Sequence, residues 1–114
     1  MERADFKTLD SLDELNRCIG ENRALLVWFT GPDCRVCKDL KPKVAELMVN
    51  SFPQITLREV DCARSRDAAA QHQVFSIPAL LVFFDGSEFL RKGRNFSLVE
   101  LGHLLERPYH LLFD

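Results

Sequence analysis

The chain has 114 residues, of which 46% are hydrophobic and 28% charged, and its formal net charge is −2. This size and composition predict one globular domain over residues 1–114 with an ordinary hydrophobic core. The weak negative charge gives no general attraction to nucleic acid or to acidic membranes, so we expect neither as a partner. No apolar run approaches the roughly 18 residues that span a bilayer.

The N-terminus and the cysteine usage both bear on the compartment. Residues 1–5 are charged and contain no apolar stretch of the signal-peptide kind, which indicates a cytoplasmic protein. Four cysteines in a chain of this kind do not suggest the disulfide framework of a secreted protein. In a reducing compartment we expect them to be free, catalytic or bound to a metal.

The first half of the chain is predicted to alternate between strands and helices. A short edge strand is expected at residues 6–9, followed by a helix that begins at a capping box of Ser11 and Glu14 and ends near Gly20. Residues 24–29 are continuously apolar, which is typical of a central strand covered on both faces. The longest helix is predicted over about residues 34–50, because its apolar side chains share one face.

The second half is predicted to contain a strand at residues 55–61, a short helix at 65–72 and strands at 79–84 and 88–91. Asp85 and Gly86 indicate a tight turn between the last two strands. A second capping box, Ser97 with Glu100, begins the final helix, which we expect Pro108 to end. The order of elements predicts a three-layer α/β/α sandwich with a central mixed sheet. Residues 107–114 form an apolar tail that either packs back on the domain or docks on a partner.

The chemistry centres on Cys34 and Cys37, which lie where a buried strand gives way to a helix. The unpaired N–H groups and the positive dipole of a helix start favour an anion, so Cys34 is expected to be the more acidic and more exposed thiol. Cys37 returns to the same face one turn later, within reach for a disulfide. The pattern therefore predicts that Cys34 attacks a substrate and that Cys37 resolves the mixed disulfide.

Other interpretations of the cysteines stay open at this point. Cys34 and Cys37 could be ordinary cysteines or part of a zinc site that also uses Cys62. Cys62 follows a predicted strand, so it is either an extra thiol near the pair or a partly buried, inert residue. Cys18 is expected in the core.

Residues 27–38 resemble the active-site junction of the thioredoxin family, and Pro42 matches the proline inside that family's active-site helix. Residues 74–80 are similar to the family's cis-proline loop. The resemblance covers nearly the whole chain and implies a thioredoxin-like fold with a redox-active disulfide between Cys34 and Cys37. It further implies that Pro78 is cis beside the disulfide and that the backbone of Ile77 binds an extended substrate. It implies no cofactor.

The chain departs from the family pattern around the cysteines. Asp33 stands before Cys34, where its carboxylate either destabilises a thiolate or caps the helix. Trp28 occupies the position of the family's buried aspartate, and Glu59 that of the associated lysine. Because an indole cannot accept a proton, we expect slow resolution at Cys37. Glu59 is the nearest candidate acceptor by sequence.

These observations favour a thioredoxin-like thiol–disulfide oxidoreductase, most simply a protein-disulfide reductase acting in cell redox homeostasis through Cys34 and Cys37. Its partners would be protein thiols and disulfides, together with a separate reductase or dithiol that supplies electrons. The alternative is a non-catalytic interaction module with the same fold. The altered surroundings of the cysteines and the apolar tail favour this alternative.

Overall fold

Five strands and four helices follow one another in residues 6–114, the part of the chain that the computed structural model describes. In chain order they are β1 (Lys7–Thr8), α1 (Leu12–Glu21), β2 (Ala24–Thr30), α2 (Arg35–Ser51), β3 (Thr56–Asp61), α3 (Arg66–Gln71), β4 (Ala79–Phe84), β5 (Ser87–Lys92) and α4 (Leu98–Phe113). Residues 1–5, on which part of the cytoplasmic expectation depends, lie outside the described residues.

The strands form one mixed sheet in the order β1-β3-β2-β4-β5. The strands β1, β3 and β2 are parallel, whereas β4 runs antiparallel to β2 and β5 runs antiparallel to β4. Helices cover both faces of this sheet, which confirms the predicted α/β/α sandwich. The carboxyl ends of the parallel strands meet at one edge, where the loops leading into α2 and α3 begin.

The central strand β2 divides the core into two layers. Ala24, Leu26 and Trp28 point to the face covered by α2 and α4. The alternate residues of β2 point to the face covered by α1 and α3. Six of the seven residues of β2 are buried, as its continuously apolar sequence predicts.

The predicted caps and turn are present. Ser11 Oγ accepts a hydrogen bond from the Glu14 backbone at 3.1 Å. Ser97 Oγ accepts one from Glu100 at the same distance, 3.1 Å. Asp85 and Gly86 both adopt positive φ, at 51° and 84°, so they form the two-residue connection between β4 and β5.

The end of α1 lies one residue beyond the predicted position, and the predicted end of α4 is wrong. Helix α1 continues through Gly20 to Glu21, and the side chain of Asn22 then donates to the Cys18 carbonyl at 2.8 Å and caps the end. Helix α4 continues through Pro108 to Phe113. A proline inside a helix loses one hydrogen bond, but burial of the following residue, Tyr109, stabilises the helix beyond it.

The apolar C-terminal segment packs back on the domain. The ring of Tyr109 meets Phe52 edge-on, with centroids 5.1 Å apart, and its hydroxyl accepts a hydrogen bond from the Gln54 backbone at 3.1 Å. The ring of Phe113 lies tilted against that of Tyr109, with centroids 5.0 Å apart. Of the two expectations for residues 107–114, packing on the domain is therefore the one the structure shows. Within residues 6–114, no helix combines the length and apolar character needed to cross a membrane.

Candidate active site

The candidate site lies where β2 passes into α2. Strand β2 ends at Thr30, residues 31–33 form a short loop, and Cys34 is the N-cap residue of α2. Cys34 and Cys37 form a disulfide, with Cα atoms 5.3 Å apart. The pairing implied by the resemblance is therefore present.

The cysteine at the helix start receives the hydrogen bond that a thiolate would use. The backbone N–H of Cys37 donates to Cys34 Sγ at 3.2 Å. Cys34 is 8% exposed and Cys37 is 3% exposed, so Cys34 is the more accessible of two largely buried sulfurs. A helix-start N–H directed at a sulfur stabilises its anionic form, which is the nucleophilic form.

Asp33 does not cap the helix. The capping contact belongs to the side chain of Cys34, and Asp33 is exposed to solvent. Its backbone adopts φ of 58°, a left-handed conformation that aspartate tolerates better than most residues with a side chain. The capping alternative is therefore wrong, and Asp33 serves the tight loop before the cysteines.

Ile77 and Pro78 lie beside the cysteine loop. The Ile77–Pro78 peptide bond is cis, and Pro78 is buried. Ala79, the next residue, pairs with Phe29, so Pro78 stands level with Thr30 at the end of β2. Ile77 packs against the core cluster that contains both cysteines. The structure thus brings Ile77 and Pro78 to the end of the sheet where Cys34 and Cys37 lie.

Cys62 lies on the opposite side of Thr30. Its backbone N–H donates to the Thr30 carbonyl at 2.8 Å, and its side chain is half-buried. Burial, reinforced by the charge of Asp61, raises the pKa of the Cys62 thiol to about 11. Such a thiol is almost entirely protonated at neutral pH, so the inert interpretation fits better than that of an additional nucleophile.

A largely apolar groove of about 360 Å³ runs from Cys62 to Ile77 between α3 and the cis-proline loop. Phe75 lines it and is 84% exposed. Phe75 was missed by sequence reasoning, although a large apolar residue three positions before the cis-proline is a usable signal. An exposed aromatic at such a rim is suited to contact a bound peptide.

The position expected for a buried carboxylate is filled by Trp28. Its side chain is 0% exposed, and its Nε1 has no hydrogen-bond partner among the described residues. Glu59 pairs in register with Trp28 on the neighbouring strand. The Glu59 Oε1 atom lies 2.5 Å from Lys41 Nζ on α2. Lys41 was missed by sequence reasoning, because nothing in the chain indicates which helix position meets this strand.

The zinc alternative has no counterpart in residues 6–114. No three His, Cys, Asp or Glu side chains in this part of the chain are grouped closely enough to hold a metal ion. Cys62 therefore does not form a ligand cluster with Cys34 and Cys37.

The fold and the disulfide define a CxxC site at a strand-to-helix junction, the arrangement of a thiol–disulfide oxidoreductase. The thioredoxin family model matches residues 8–100. The chain belongs to the thioredoxin family.

Curated relatives agree with this assignment. A thioredoxin-like protein of Bacillus subtilis, YdfQ, is 31% identical over 103 residues, which cover 90% of this chain and 91% of that protein. The thioredoxin of Chlamydia trachomatis is 39% identical over 67 residues, covering 59% of this chain and 65% of its own.

Solved structures support the fold. The oxidised mitochondrial thioredoxin 3 of Saccharomyces cerevisiae superimposes with a TM-score of 0.75 at 24% identity, covering 94% of this chain and 95% of its own. A designed protein superimposes with a TM-score of 0.79 at 22% identity, covering 90% of this chain and 96% of its own.

Proposed function

We propose that this protein is a protein-disulfide reductase that acts in cell redox homeostasis, with Cys34 as nucleophile and Cys37 as resolving cysteine. The observation that carries the proposal is the Cys37 N–H directed at Cys34 Sγ, at 3.2 Å, in the first turn of α2. The same contact that stabilises the sulfur in the disulfide would stabilise the Cys34 thiolate in the reduced protein.

The reaction proceeds in two exchanges. The Cys34 thiolate attacks one sulfur of a substrate disulfide, the substrate S–S bond breaks, and its other sulfur leaves as a thiolate that takes a proton. Deprotonated Cys37 then attacks Cys34 Sγ, the mixed disulfide breaks, and the second substrate sulfur leaves. The substrate gains two electrons and becomes a dithiol, while Cys34 and Cys37 become the disulfide present in the structure.

The reduced protein is restored by a partner. A separate reductase or dithiol donor supplies the two electrons that convert the disulfide back to thiols, so the protein itself needs no cofactor. We place this cycle in the cytoplasm and assign it to one domain of residues 1–114. The elements from Lys7 to Phe113 contribute to two core layers on one sheet, which supports the single domain.

Substrate binding is assigned to Ile77 and Pro78. The loop before β4 leaves the backbone of residues 75–77 outside the strand pairing, so an extended peptide could pair with it. The groove from Cys62 to Ile77 would accept an apolar side chain of that peptide. In this proposal the peptide would lie across the cysteine loop.

Reduction of insulin disulfides with dithiothreitol as electron donor tests the proposal. The wild-type protein should accelerate the reduction, and Cys34→Ser should abolish the acceleration. Cys18→Ala is the matched control and should retain the wild-type rate, because Cys18 is a buried free cysteine on α1 that does not line the groove. A Cys34→Ser variant as active as wild type would refute the assignment of the nucleophile.

Trp28 favours a second candidate, a thioredoxin-fold module that holds partner proteins without turning them over. Its indole fills the position where the family carries a proton acceptor, and it is fully buried. This candidate predicts that wild-type protein binds disulfide-containing partners but does not accelerate insulin reduction. The insulin assay therefore separates the two functions.

A further inference from the structure

We propose that Glu59, positioned by Lys41, accepts the proton that Cys37 loses when it resolves the mixed disulfide. This inference rests on the proposed reductase function, because it concerns the second step of that reaction. Glu59 lies on β3 and Lys41 on α2. On the neighbouring strand β2, the residue paired with Glu59 is Trp28.

The sheet places Glu59 on the same face as the cysteines. Trp28 and Glu59 are register partners on the parallel strands β2 and β3, so their side chains point to one face. Trp28 belongs to the core cluster that also contains Cys34 and Cys37. The carboxylate of Glu59 therefore lies under α2, beside the indole that packs with the cysteines.

Helix α2 contributes Lys41, the residue that pairs with Glu59. Lys41 is four residues after Cys37, so the two side chains lie one above the other on the same face of the helix. The Lys41 Nζ atom lies 2.5 Å from Glu59 Oε1 and 5.4 Å from the centre of the Phe6 ring. Lys41 thus holds the Glu59 carboxylate against the helix face that also carries Cys37.

Glu59 Oε1 is buried, and its charged neighbour is the Lys41 ammonium. The Glu59 side chain is 17% exposed, and Oε1 accepts no hydrogen bond from the remainder of residues 6–114. The neighbours facing it are Thr8 from β1, Trp28 from β2 and Lys41 from α2. Asp61, two residues along β3, already accepts N–H groups of the loop that follows.

The Cys37 proton passes to Glu59, directly or through one solvent molecule, and the resulting thiolate attacks Cys34 Sγ. The Cys34–substrate bond breaks, and its electron pair leaves with the substrate sulfur. Glu59 then returns its proton to solvent, from which the substrate thiolate is protonated. Trp28 takes no part in the transfer, since its indole only donates.

Stopped-flow reaction of the reduced protein with dithionitrobenzoate separates the two steps, because each step releases one coloured thiolate. The first release reports attack by Cys34, and the second reports resolution by Cys37. A Cys62→Ser background removes the contribution of the half-buried third thiol. Glu59→Gln should slow the second release at least about tenfold at neutral pH and leave the first unchanged.

The pH profile distinguishes proton transfer from a structural role. The loss in Glu59→Gln should shrink as the pH rises, because hydroxide replaces the missing acceptor, and Glu59→Asp should recover part of the rate. Glu46→Gln removes an exposed carboxylate from α2, the helix that contains Cys37, and should change neither release. A loss that affects both releases, or that persists equally at every pH, would overturn the role of Glu59, as would no loss at all. A wild-type protein that shows neither release would instead overturn the proposed reductase function.

Discussion

Gly31 and Ile77 are in close contact across the site. A Cβ atom added at Gly31 would lie 2.9 Å from Ile77 Cδ1, closer than unstrained carbon atoms approach. The loop before Cys34 and the loop that contains Pro78 are therefore in contact through the side chain of Ile77. Because Gly31 has no Cβ, Ile77 can pack against the core cluster that contains Cys34 and Cys37.

This contact predicts a binding defect without a folding defect. Gly31→Ala should push the flexible end of Ile77 aside and raise KM for a disulfide peptide about threefold to tenfold, a loss below about 1.4 kcal/mol. Gly93→Ala is the matched control, because a Cβ there meets nothing within 4 Å. Steady-state kinetics and urea unfolding should show a changed KM and an unchanged midpoint. Equal KM values for the two variants would contradict the proposed role of Ile77.

Cys62 should be a poor nucleophile at neutral pH. Burial and the charge of Asp61 raise its pKa to about 11, compared with about 8.5 for a free cysteine. In the reduced protein we expect Cys34 to be alkylated first. The alkylation rate of Cys62 should rise only as the pH approaches the Cys62 pKa. Mass spectrometry of each alkylated peptide against pH measures both rates.

Asp61→Asn provides the control for that prediction. It removes the charge but retains an oxygen that can accept the Ala63 and Arg64 N–H groups. The variant should therefore keep the loop and speed alkylation of Cys62 severalfold at neutral pH. Alkylation of wild-type Cys62 at the rate of a free cysteine would contradict the argument.

Trp28 carries a buried N–H without a partner among the described residues. We therefore expect its replacement by phenylalanine to have little effect on stability. Trp28→Phe removes the unsatisfied donor and leaves a modest gap, and these effects oppose each other. We expect the free energy of unfolding to change by no more than about 1 kcal/mol. Trp28→Ala should cost about 3–5 kcal/mol, because it empties a fully buried site. Urea unfolding of the three proteins is the test, and equal losses would mean that the indole N–H is satisfied.

Much of the fold could be predicted from the sequence because local signals were strong. The apolar run of β2, the two capping boxes and the Asp85–Gly86 turn each depend on neighbouring residues alone. The end of α4 could not be predicted in this way. The stability of its last turns depends on Tyr109 meeting Phe52, a residue far away in the chain.

The site could likewise be predicted only as far as local sequence motifs determine it. Cys34, Cys37 and Pro78 belong to sequence motifs, so their positions could be inferred before the fold was known. The pairing of Lys41 with Glu59 depends on the register of β3 and on how α2 crosses that strand. Neither can be inferred from the residues adjacent in the chain. The exposure of Phe75 likewise follows from the path of its loop.

His72 should make the protein less stable in mild acid. Burial lowers its pKa below the ordinary value of 6.5, an effect that Glu88 opposes and Arg91 reinforces. As the pH falls below that value, the unfolded chain takes up the proton before the folded one, so acid favours unfolding. The free energy of unfolding should therefore decrease below about pH 6.5. Urea titrations of wild type and His72→Gln should show that the variant loses this decrease, whereas His103→Gln, an exposed control on α4, keeps it.

The C-terminal turns of α4 should contribute to stability rather than to partner binding. Tyr109 is 4% exposed, packs edge-on against Phe52 and accepts the Gln54 N–H, whereas Leu111, two residues later, is 73% exposed. Tyr109→Ala should cost about 3–5 kcal/mol, because it removes a buried ring and leaves a backbone donor without its partner. Leu111→Ala should change the free energy of unfolding by no more than about 0.5 kcal/mol.

Thermal and urea unfolding of these two variants, together with Tyr109→Phe, separate the contributions. Tyr109→Phe keeps the ring and loses only the hydroxyl, so it should cost about 0.5–1.5 kcal/mol. Insulin reduction by folded Tyr109→Phe should match wild type, since the contact with Gln54 lies at the opposite end of β3 from Cys62. If Leu111→Ala instead lost as much stability as Tyr109→Ala, the packing of this segment would differ from the structure. If Tyr109→Phe lost activity while keeping its stability, the segment would have a role in the reaction that packing alone does not provide.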